Sequence, residues 1–371
     1  MERLSVISLL GLTLAAASVH AEETSLSTTQ DLRLVPVAED LEQPWGVAVL
    51  PGGLFVISER TGQIQTFYNG ERQEVEGLPG IHVEGQAGLL DVAASPDYPD
   101  TGWIYFTYAS GDTDSTATAL ARGRLAGDQL VDVEELFEQN RRSEPGPRAG
   151  SRLAWLEDDT LLMSVGDRGD PERAQDTQDH AGSILRLDPQ GLAPEDNPLL
   201  EEAGFLPRIY SWGHRHVLGL AVDEKRGYVW AVEARSNGHD EVLLIQPGKN
   251  HGAAAEGEDT ELLELGASSG FFNEEEVVEP AYRFSENVSP SGLAVINGDH
   301  YPEWEGNLLV GGLESEQLHR LVIRGNEVTE EEALLDETFG PVRDVRQGPD
   351  GYIYMLVGDE SGTLYRLEPE A

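Results

Sequence analysis

Apolar and polar residues alternate along this chain in short segments, each of a length that suits one β-strand. A typical segment begins with an apolar run, passes through a turn rich in Pro, Asp and Gly, and continues in β-branched and aromatic residues. A period of two is that of a strand with one buried face, and the turn residues end each run. The pattern predicts an all-β protein.

This pattern recurs six times. The copies begin at Trp45, Gly88, Ser151, Gly219, Ser291 and Val342. Repeats of this kind are typical of a propeller, in which each copy forms one small sheet that packs against its neighbours. A β-sandwich would need fewer copies. We therefore predict a six-bladed β-propeller that occupies residues 22–371 as a single domain.

The last copy contains only three clear strands. Residues 31–40 precede the first copy and alternate like an edge strand, interrupted by Pro36. We expect the run from Leu32 to Val35 to supply the fourth strand of the last blade. That pairing would close the ring and cover an exposed edge.

Residues 209–219, I-Y-S-W-G-H-R-H-V-L-G, combine the strand pattern with candidate chemistry. We place them at the start of a strand-rich unit that runs to Gly248. The turn carries His214, Arg215 and His216 beside a strand that should point at the centre of the ring. Longer inserts fall at 135–150, 170–181, 188–206 and 250–279, and such inserts on a rigid scaffold commonly carry binding residues.

Residues 1–21 have the features of a secretory signal peptide. Arg3 is followed by an apolar run over 7–17 and by small residues before the expected cleavage site. The run is shorter than the roughly 20 residues that span a bilayer. We predict a periplasmic or secreted protein that does not insert into a membrane.

Acidic residues dominate the composition, with 68 Asp and Glu against 25 Lys and Arg and a net charge of −43. Such a surface repels nucleic acid and anionic lipid. The simpler interpretation is a solvated acidic shell in a salty environment, and the alternative is attraction of a basic partner. An anionic cofactor would need a local patch of arginine. The chain has no cysteine, which excludes disulfides and thiolate chemistry.

An ordered series of segments resembles the soluble aldose (glucose/sorbosone) dehydrogenases. The segments are G-Q-A-G-L-L-D-V-A-A-S-P-D (85–97), V-G-D-R-G, G-S-I-L-R-L-D-P, S-W-G-H-R-H-V-L-G, D-E-V-L-L-I-Q-P-G-K-N-H-G (240–252), S-P-S-G-L-A-V and V-R-D-V-R-Q-G-P-D-G-Y. They cover nearly the whole chain after the signal. The resemblance implies a pyrroloquinoline quinone at the central axis, assisted by Ca²⁺, that takes a hydride from C1 of an aldose.

Four positions match functional residues of that family. Gln86 matches a glutamine beside the sugar, Arg215 an arginine that contacts the quinone oxygen, and Arg343 one of two cofactor-binding arginines. Asp240 matches an acid near the site. Each also has a structural interpretation: Gln86 could cap a turn, Arg215 and Asp240 could form a buried ion pair, and Arg343 could brace strands. Asp167, in V-G-D-R-G, is expected to hold a loop turn.

Other positions depart from the family. Arg148 stands where the family has its catalytic histidine, and an arginine stays protonated and cannot be the general base. His216 replaces an asparagine and is our candidate for a substitute base, while Arg148 and Arg235 could restore positive charge. The further replacements are Phe284 for a tryptophan, Glu314 for a lysine, Pro341 for an arginine, and Ala234-Arg235-Ser236 for a segment whose backbone oxygens bind Ca²⁺.

Three hypotheses follow. The first is an exported oxidoreductase that acts on an aldose, with Gln86, Arg215 and His216 as catalytic residues. Its cofactor-binding residues would be Arg148, Arg215, Asp240 and Arg343, although the replacements count against both the quinone and Ca²⁺, and no metal ligand is assigned.

The second hypothesis is a non-catalytic propeller that binds a sugar, an anion or a protein in a degenerate quinone pocket. The third, a calcium-dependent hydrolase such as a lactonase, would need an axial ring of acids and asparagines that the sequence does not show. The sugar, the electron acceptor and the oligomeric state stay open.

Overall fold

The computed structural model describes residues 25–26, 32–235, 240–252, 277–334 and 339–369. In these residues 25 strands form six antiparallel sheets, and helix is confined to short turns. The predicted six-bladed β-propeller is confirmed. The predicted signal peptide and Ser236 lie outside the described residues.

The strands follow one another as antiparallel meanders. The chain starts with β1 (Ser25–Leu26) and β2 (Leu32–Glu42). Blade 1 contains β3 (Pro44–Leu50), β4 (Leu54–Glu59), β5 (Gln63–Tyr68) and β6 (Glu71–Val75). Blade 2 contains β7 (Leu89–Ala94), β8 (Trp103–Gly111), β9 (Thr116–Ala126) and β10 (Gln129–Glu138), with the short helix α1 (Tyr98–Thr101) between β7 and β8. Blade 3 contains β11 (Leu153–Trp155), β12 (Leu161–Val165), β13 (Ser183–Leu187) and β14 (Ile209–Trp212).

The second half of the ring has the same plan. Blade 4 contains β15 (Val217–Asp223), β16 (Tyr228–Glu233), β17 (Glu241–Leu244) and β18 (Tyr282–Arg283). Blade 5 contains β19 (Pro290–Val295), β20 (Leu308–Gly312), β21 (Leu318–Arg324) and β22 (Glu327–Ala333). Blade 6 contains β23 (Val342–Gln347), β24 (Ile353–Gly358) and β25 (Ser361–Pro369), together with β1 and β2. Single 3₁₀ turns occur at Pro171–Gln175 and Pro302–Trp304.

The first strand of each blade lies innermost. The strands β3, β7, β11, β15, β19 and β23 contact one another in this order, and β23 returns to β3. Outside this ring, six hydrophobic clusters of the described residues lie one between each pair of neighbouring blades. Each blade is therefore held by apolar burial on two faces, which suits a chain without disulfides.

The ring is closed by the pairing that the sequence predicted. Strand β2 lies antiparallel to β25, with Leu32 opposite Pro369 and Leu34 opposite Leu367. Leu32, Leu34 and Leu367 are buried in the cluster between blades 5 and 6. Backbone hydrogen bonds and apolar contacts thus join the start of the propeller to its end.

Two boundaries differ from the sequence-based prediction. Residues 209–219 do not open one unit, because β14 is the outer strand of blade 3 and β15 is the inner strand of blade 4. Only four residues, 213–216, separate the two strands. In the sequence their two apolar runs therefore look like one continuous unit. Similarly, the first residues of the predicted insert 135–150 belong to β10. The turn with His214 and Arg215 is therefore a connection between blades.

A buried guanidinium occupies the axis of the ring. Arg152, directly before β11, is 0% exposed. Its Nε donates to the Leu218 carbonyl (2.5 Å), Nη1 to the Trp45 carbonyl (3.2 Å) and Asp91 Oδ1 (3.4 Å), and Nη2 to the Arg343 carbonyl (2.8 Å) and Ser291 Oγ (3.4 Å). These acceptors come from blades 4, 1, 2, 6 and 5. One side chain of blade 3 thus contacts every other blade.

Two buried carboxylates and a second arginine complete this axial network. Arg346 Nη2 donates to both oxygens of Asp91 at 2.9 Å, and its Nε donates to Asp344 Oδ2 at 3.0 Å. Asp344 also lies 3.5 Å from Arg152 Nη1. Burial alone would lower the pKa of Arg346, but the two carboxylates raise it above its usual value. Two positive and two negative charges therefore balance inside the ring.

The substitution Arg152→Met should lower the free energy of unfolding by about 3–5 kcal/mol, since it leaves two buried aspartates with one cation and removes a shared donor from five blades. Chemical denaturation of the purified protein measures this change. The control is Arg324→Met, at an exposed arginine where β21 turns into β22. A loss below about 1 kcal/mol, the range of a surface ion pair, would show that the axis does not depend on Arg152.

Candidate functional site

A cavity of about 400 Å³ opens at the end of the ring where the inner strands begin. Each blade contributes to its lining; the contributions include Trp45, Gln86, Arg148, His216, Ser289 and Arg343. Trp45, Leu218 and Arg343 line the cavity and also offer their carbonyls to Arg152. The axial guanidinium therefore fixes the backbone that forms the floor of the cavity.

Positive charge is concentrated in this cavity. Its lining includes five arginines, Arg60, Arg148, Arg215, Arg235 and Arg343, and among the described lining residues one acid, Asp359. The chain has only 25 basic residues and a net charge of −43. A fifth of its cations thus surround a single cavity. This is the local arginine patch that the sequence analysis required for an anionic cofactor.

Arg148 is held in place by two contacts. Its backbone N–H donates to Gln86 Oε1 at 2.6 Å, and its Nη1 donates to Asp167 Oδ2 at 2.8 Å. Its φ is +57°, a left-handed conformation that costs a residue with a Cβ roughly 1–2 kcal/mol. Strained backbone of this kind is concentrated at functional sites.

Asp167 holds a turn, as predicted, because its Oδ1 accepts from the Gly169 N–H at 2.8 Å. Asp167 is 0% exposed. Burial raises the pKa of its carboxyl group, and the charge of Arg148 opposes that shift. The pair fixes one end of the Arg148 guanidinium at the cavity wall.

Two buried glutamates hold the arginines on the other side. Glu233 Oε2 accepts from the Arg215 backbone N–H at 2.8 Å, and Arg235 Nη2 lies 3.1 Å from Glu233 Oε1 and 2.5 Å from Glu241 Oε2. Burial lowers the pKa of Arg215, and Arg148 lowers it further because the two cations repel each other. An anion between them would relieve this repulsion.

Arg343 and Arg60 complete the ring of cations. Arg343 Nη2 donates to Asp359 Oδ1 at 3.0 Å, and its guanidinium lies over the Trp45 ring, 5.2 Å from the centroid. Burial lowers the pKa of Arg343. Arg60 donates to the Gly85 carbonyl and to Gln43 Oε1. Trp45 is an aromatic wall beside these charges.

His216 is the one lining residue with a titratable imidazole among those described. It is 7% exposed, and its Nε2 makes no hydrogen bond to any described residue. Burial lowers its pKa to about 3, with smaller contributions from Arg148 and Arg215. The ring is therefore neutral at physiological pH, and its Nε2 is a buried polar atom without a hydrogen-bond partner among the described residues.

The cavity brings together five of the six predicted site residues: Gln86, Arg148, Arg215, His216 and Arg343. Asp240 is not among them. It is buried, and its carboxylate accepts from the backbone N–H groups of Arg235 (2.9 Å), Val288 (2.9 Å) and Ser289 (2.7 Å). Asp240 therefore positions the loops that carry two lining residues, which is a different role from cofactor contact. It could be assigned from motif similarity only as an acid near the site.

The other replaced positions do not put an acid into the cavity. Glu314 is exposed, lies outside the lining and accepts from Asn287 Nδ2. Phe284 is buried in the cluster between blades 4 and 5, and the Pro341 carbonyl accepts from the Gly358 N–H at 2.8 Å. Glu314 replaces a lysine of the family and would repel a carboxylate ligand if it lay in the cavity. It is not among the described lining residues, so this repulsion does not arise there.

Sequence reasoning missed Trp45, Arg60 and Asp359 as lining residues. No motif distinguishes them. Arg60 directly follows β4 in the first blade, and Asp359 directly follows β24 in the last blade. Their signal is positional: each stands next to a strand end on the same side of the ring. Within the described ranges no group of three or more His, Asp or Glu is placed to hold a metal ion, and no helix is long and apolar enough to cross a membrane.

The depressed pKa of His216 predicts a defined pH dependence of stability. Between pH about 6.5 and pH about 3 the unfolded chain binds a proton at this histidine that the folded chain does not bind. His216 therefore destabilises the fold as the pH falls through this window and has no such effect above it. His216→Asn should lose less free energy of unfolding than the wild type between about pH 7.5 and pH 4.5 in denaturation experiments. The control for the substitution itself is His300→Asn, at a partly exposed histidine outside the cavity. If His216→Asn and the wild type lost equal free energies of unfolding over this pH range, the lowered pKa would not belong to His216.

Comparison with known proteins places this geometry in a family. Residues 41–366 match the family model described as Glucose / Sorbosone dehydrogenase. An uncharacterised protein of Synechocystis is 36% identical over 362 residues, which cover 91% of this chain and 87% of that protein. The aldose sugar dehydrogenase of Escherichia coli is 31% identical over 348 residues, or 90% and 92% of the two chains. The PQQ-bound form of an aldose sugar dehydrogenase from Streptomyces coelicolor is 28% identical and superimposes with a TM-score of 0.74 over 91% of this chain and 98% of that chain. The chain therefore belongs to the glucose/sorbosone dehydrogenase family.

Proposed function

We propose that this protein oxidises an aldose at C1 with pyrroloquinoline quinone held in the axial cavity. The observation that carries the proposal is the set of five arginines in one cavity of a protein whose net charge is −43. Pyrroloquinoline quinone is a planar tricarboxylate, and guanidinium groups bind carboxylates through paired, charge-assisted hydrogen bonds. Family membership supports a small-molecule sugar as the substrate.

The residues present fit such a cofactor. The cavity volume of about 400 Å³ lies within the range of roughly 300–1,000 Å³ that small-molecule sites occupy. Arg215 and Arg343 stand at positions that the family uses for quinone contacts, and both line the cavity. The bound quinone would supply the oxidant, accepting a hydride from the sugar while the hydroxyl proton passes to a base on the protein.

His216 is the candidate for that base. Arg148 cannot take a proton, whereas His216 is neutral and its Nε2 has no partner among the described residues. Burial is the main cause of the low pKa of His216, and the charges of Arg215 and Arg343 lower it further. Cofactor carboxylates bound to these two arginines would remove that smaller contribution and so raise the basicity of His216.

In the family the resemblance implies, Ca²⁺ is bound by backbone oxygens of a segment that is replaced here by Ala234-Arg235-Ser236, and Ser236 lies outside the described residues. We therefore assign no step to Ca²⁺. In this proposal the positive charge that stabilises the reduced quinone oxygen comes from Arg215.

One observation favours a second function. Arg148, at the position of the family's base, is paired with buried Asp167 at 2.8 Å and so occupies the base's place with a fixed cation. In this alternative the propeller binds a sugar, an anion or a protein partner without turnover.

Titration with pyrroloquinoline quinone separates these functions. The purified protein is titrated with and without Ca²⁺ while the quinone absorbance is followed, and an aldose and a redox dye are then added. Tight binding with dye reduction supports the dehydrogenase, and tight binding without reduction by any of a panel of aldoses supports the non-catalytic alternative. If the quinone does not bind, the proposed function fails.

Arg215→Ala should weaken quinone binding by at least about tenfold, because a charge-assisted hydrogen bond contributes roughly 1.5–3 kcal/mol. The melting temperature should stay close to that of the wild type, since the buried Glu233 carboxylate is bonded to the Arg215 backbone N–H, which the substitution keeps. Arg324→Ala removes a charge outside the site and is the matched control. A lower melting temperature with unchanged quinone binding would assign Arg215 a structural role.

A further inference from the structure

We propose that Arg148 makes this protein selective for acidic sugars, so that its substrate carries a carboxylate, as a uronic acid does. The inference rests on the proposed function and adds the chemical class of the substrate. It concerns the side of the cavity where Arg148, Gln86 and His216 meet. It stands on the geometry of the Arg148 guanidinium, on the free His216 nitrogen and on the balance of charge in the cavity.

Arg148 is available to a ligand at the cavity wall. Its carboxylate partner among the described residues is Asp167, and the hydrogen bond between them uses Nη1 at 2.8 Å. The Arg148 side chain is 23% exposed, whereas that of Asp167 is 0% exposed, so the cation lies on the cavity side of the pair. The guanidinium keeps further N–H groups for a second acceptor, and its planar fork matches the two oxygens of a carboxylate.

The structure holds Arg148 in this orientation at a cost. Its backbone has φ +57°, and the Gln86 side chain accepts from its N–H at 2.6 Å. Gln86 is the residue that matches the family glutamine beside the sugar. Arg148 is thereby tied to the part of the cavity where the sugar is expected.

A neutral sugar would not satisfy this part of the cavity. Arg148 lies close enough to Arg215 and His216 for its charge to lower the pKa of both. A hydroxyl group leaves that repulsion in place, while a carboxylate between the cations removes it. The unpartnered Nε2 of His216 shows that the same region has an unmet hydrogen bond among the described residues.

Selectivity and base strength are then linked. Burial is the main reason that His216 is a weak base, and the charge of Arg148 adds to it. A substrate carboxylate on Arg148 would remove this second contribution, so an acidic sugar would assist its own deprotonation. A neutral aldose would bind more weakly and would face a weaker base. The replacement of the family's histidine by arginine thus changes which sugar is accepted, and it does not by itself abolish oxidation.

The test compares D-glucuronate with D-glucose, which differ in the group at C6. Binding of each to the quinone-free protein and to the quinone-loaded protein is measured by isothermal titration calorimetry, and dye reduction is measured separately. We expect the wild type to bind glucuronate at least about tenfold more tightly than glucose, and kcat/KM to follow the same order. High salt should reduce the binding ratio, because the preference is electrostatic.

Two substitutions at Arg148 and one control locate the effect. Arg148→Gln should bring the binding ratio close to one, and Arg148→His should favour glucose in turnover. Arg324→Gln, which removes an exposed charge outside the cavity, should keep the wild-type ratio. If Arg148→Gln does not fold because Asp167 loses its partner, Arg148→Lys keeps the charge but not the planar fork, and its ratio should lie between those of the wild type and a neutral variant.

The inference is overturned if the wild type binds both sugars equally or prefers glucose, or if Arg148→Gln keeps the preference for glucuronate. These results differ from failure of the proposed function, in which quinone binding is absent whichever sugar is used. Quinone binding with glucose turnover but no preference for glucuronate would remove the inference and leave the proposed function intact.

Discussion

A fully buried guanidinium at the axis, that of Arg152, is the contact on which both the ring and its site depend. A propeller must prevent its six inner strands from sliding past one another, and apolar clusters between neighbouring blades act only in pairs. Arg152 instead bonds acceptors from all five other blades at once. Hydrogen bonding of this kind in a low-dielectric interior is directional, so it fixes register as well as contact.

The candidate site takes its geometry from that axis. Three of the carbonyl groups that accept hydrogen bonds from Arg152 belong to residues that line the cavity. Arg343 is one of them: its carbonyl is bonded to Arg152 while the residue lines the cavity. Behind the cavity wall, Asp167, Glu233 and Glu241 are buried and hold the lining arginines by side-chain or backbone contacts. Cations fixed in this way lose little conformational entropy when an anion binds, and they concentrate positive potential inside a strongly acidic protein.

The sequence was sufficient for the fold because strand period and turn chemistry are local properties that repeat. It also indicated five of the residues that line the cavity, because residues such as Gln86, Arg215 and Arg343 lie in recognisable motifs at strand ends. The axial network was not predictable in the same way: Arg152 and the Arg343 carbonyl are 191 residues apart, and no pattern in either segment indicates the other. Asp240 shows the opposite limit. Its motif places it near the site, but the contacts of its carboxylate with three backbone N–H groups depend on the folded structure. The division of residues 209–219 between two blades was hidden for a local reason, the very short connection.

The central claim is that the arginine-lined cavity above Arg152 is an anion site built for a planar tricarboxylate. Its most direct test is a crystal structure of the protein equilibrated with pyrroloquinoline quinone. The account predicts planar density in the cavity, with carboxylates within hydrogen-bond distance of Arg215 and Arg343 and with Arg148 still paired to Asp167 on the sugar side. Density for the quinone elsewhere on the protein, with an empty cavity, would contradict it.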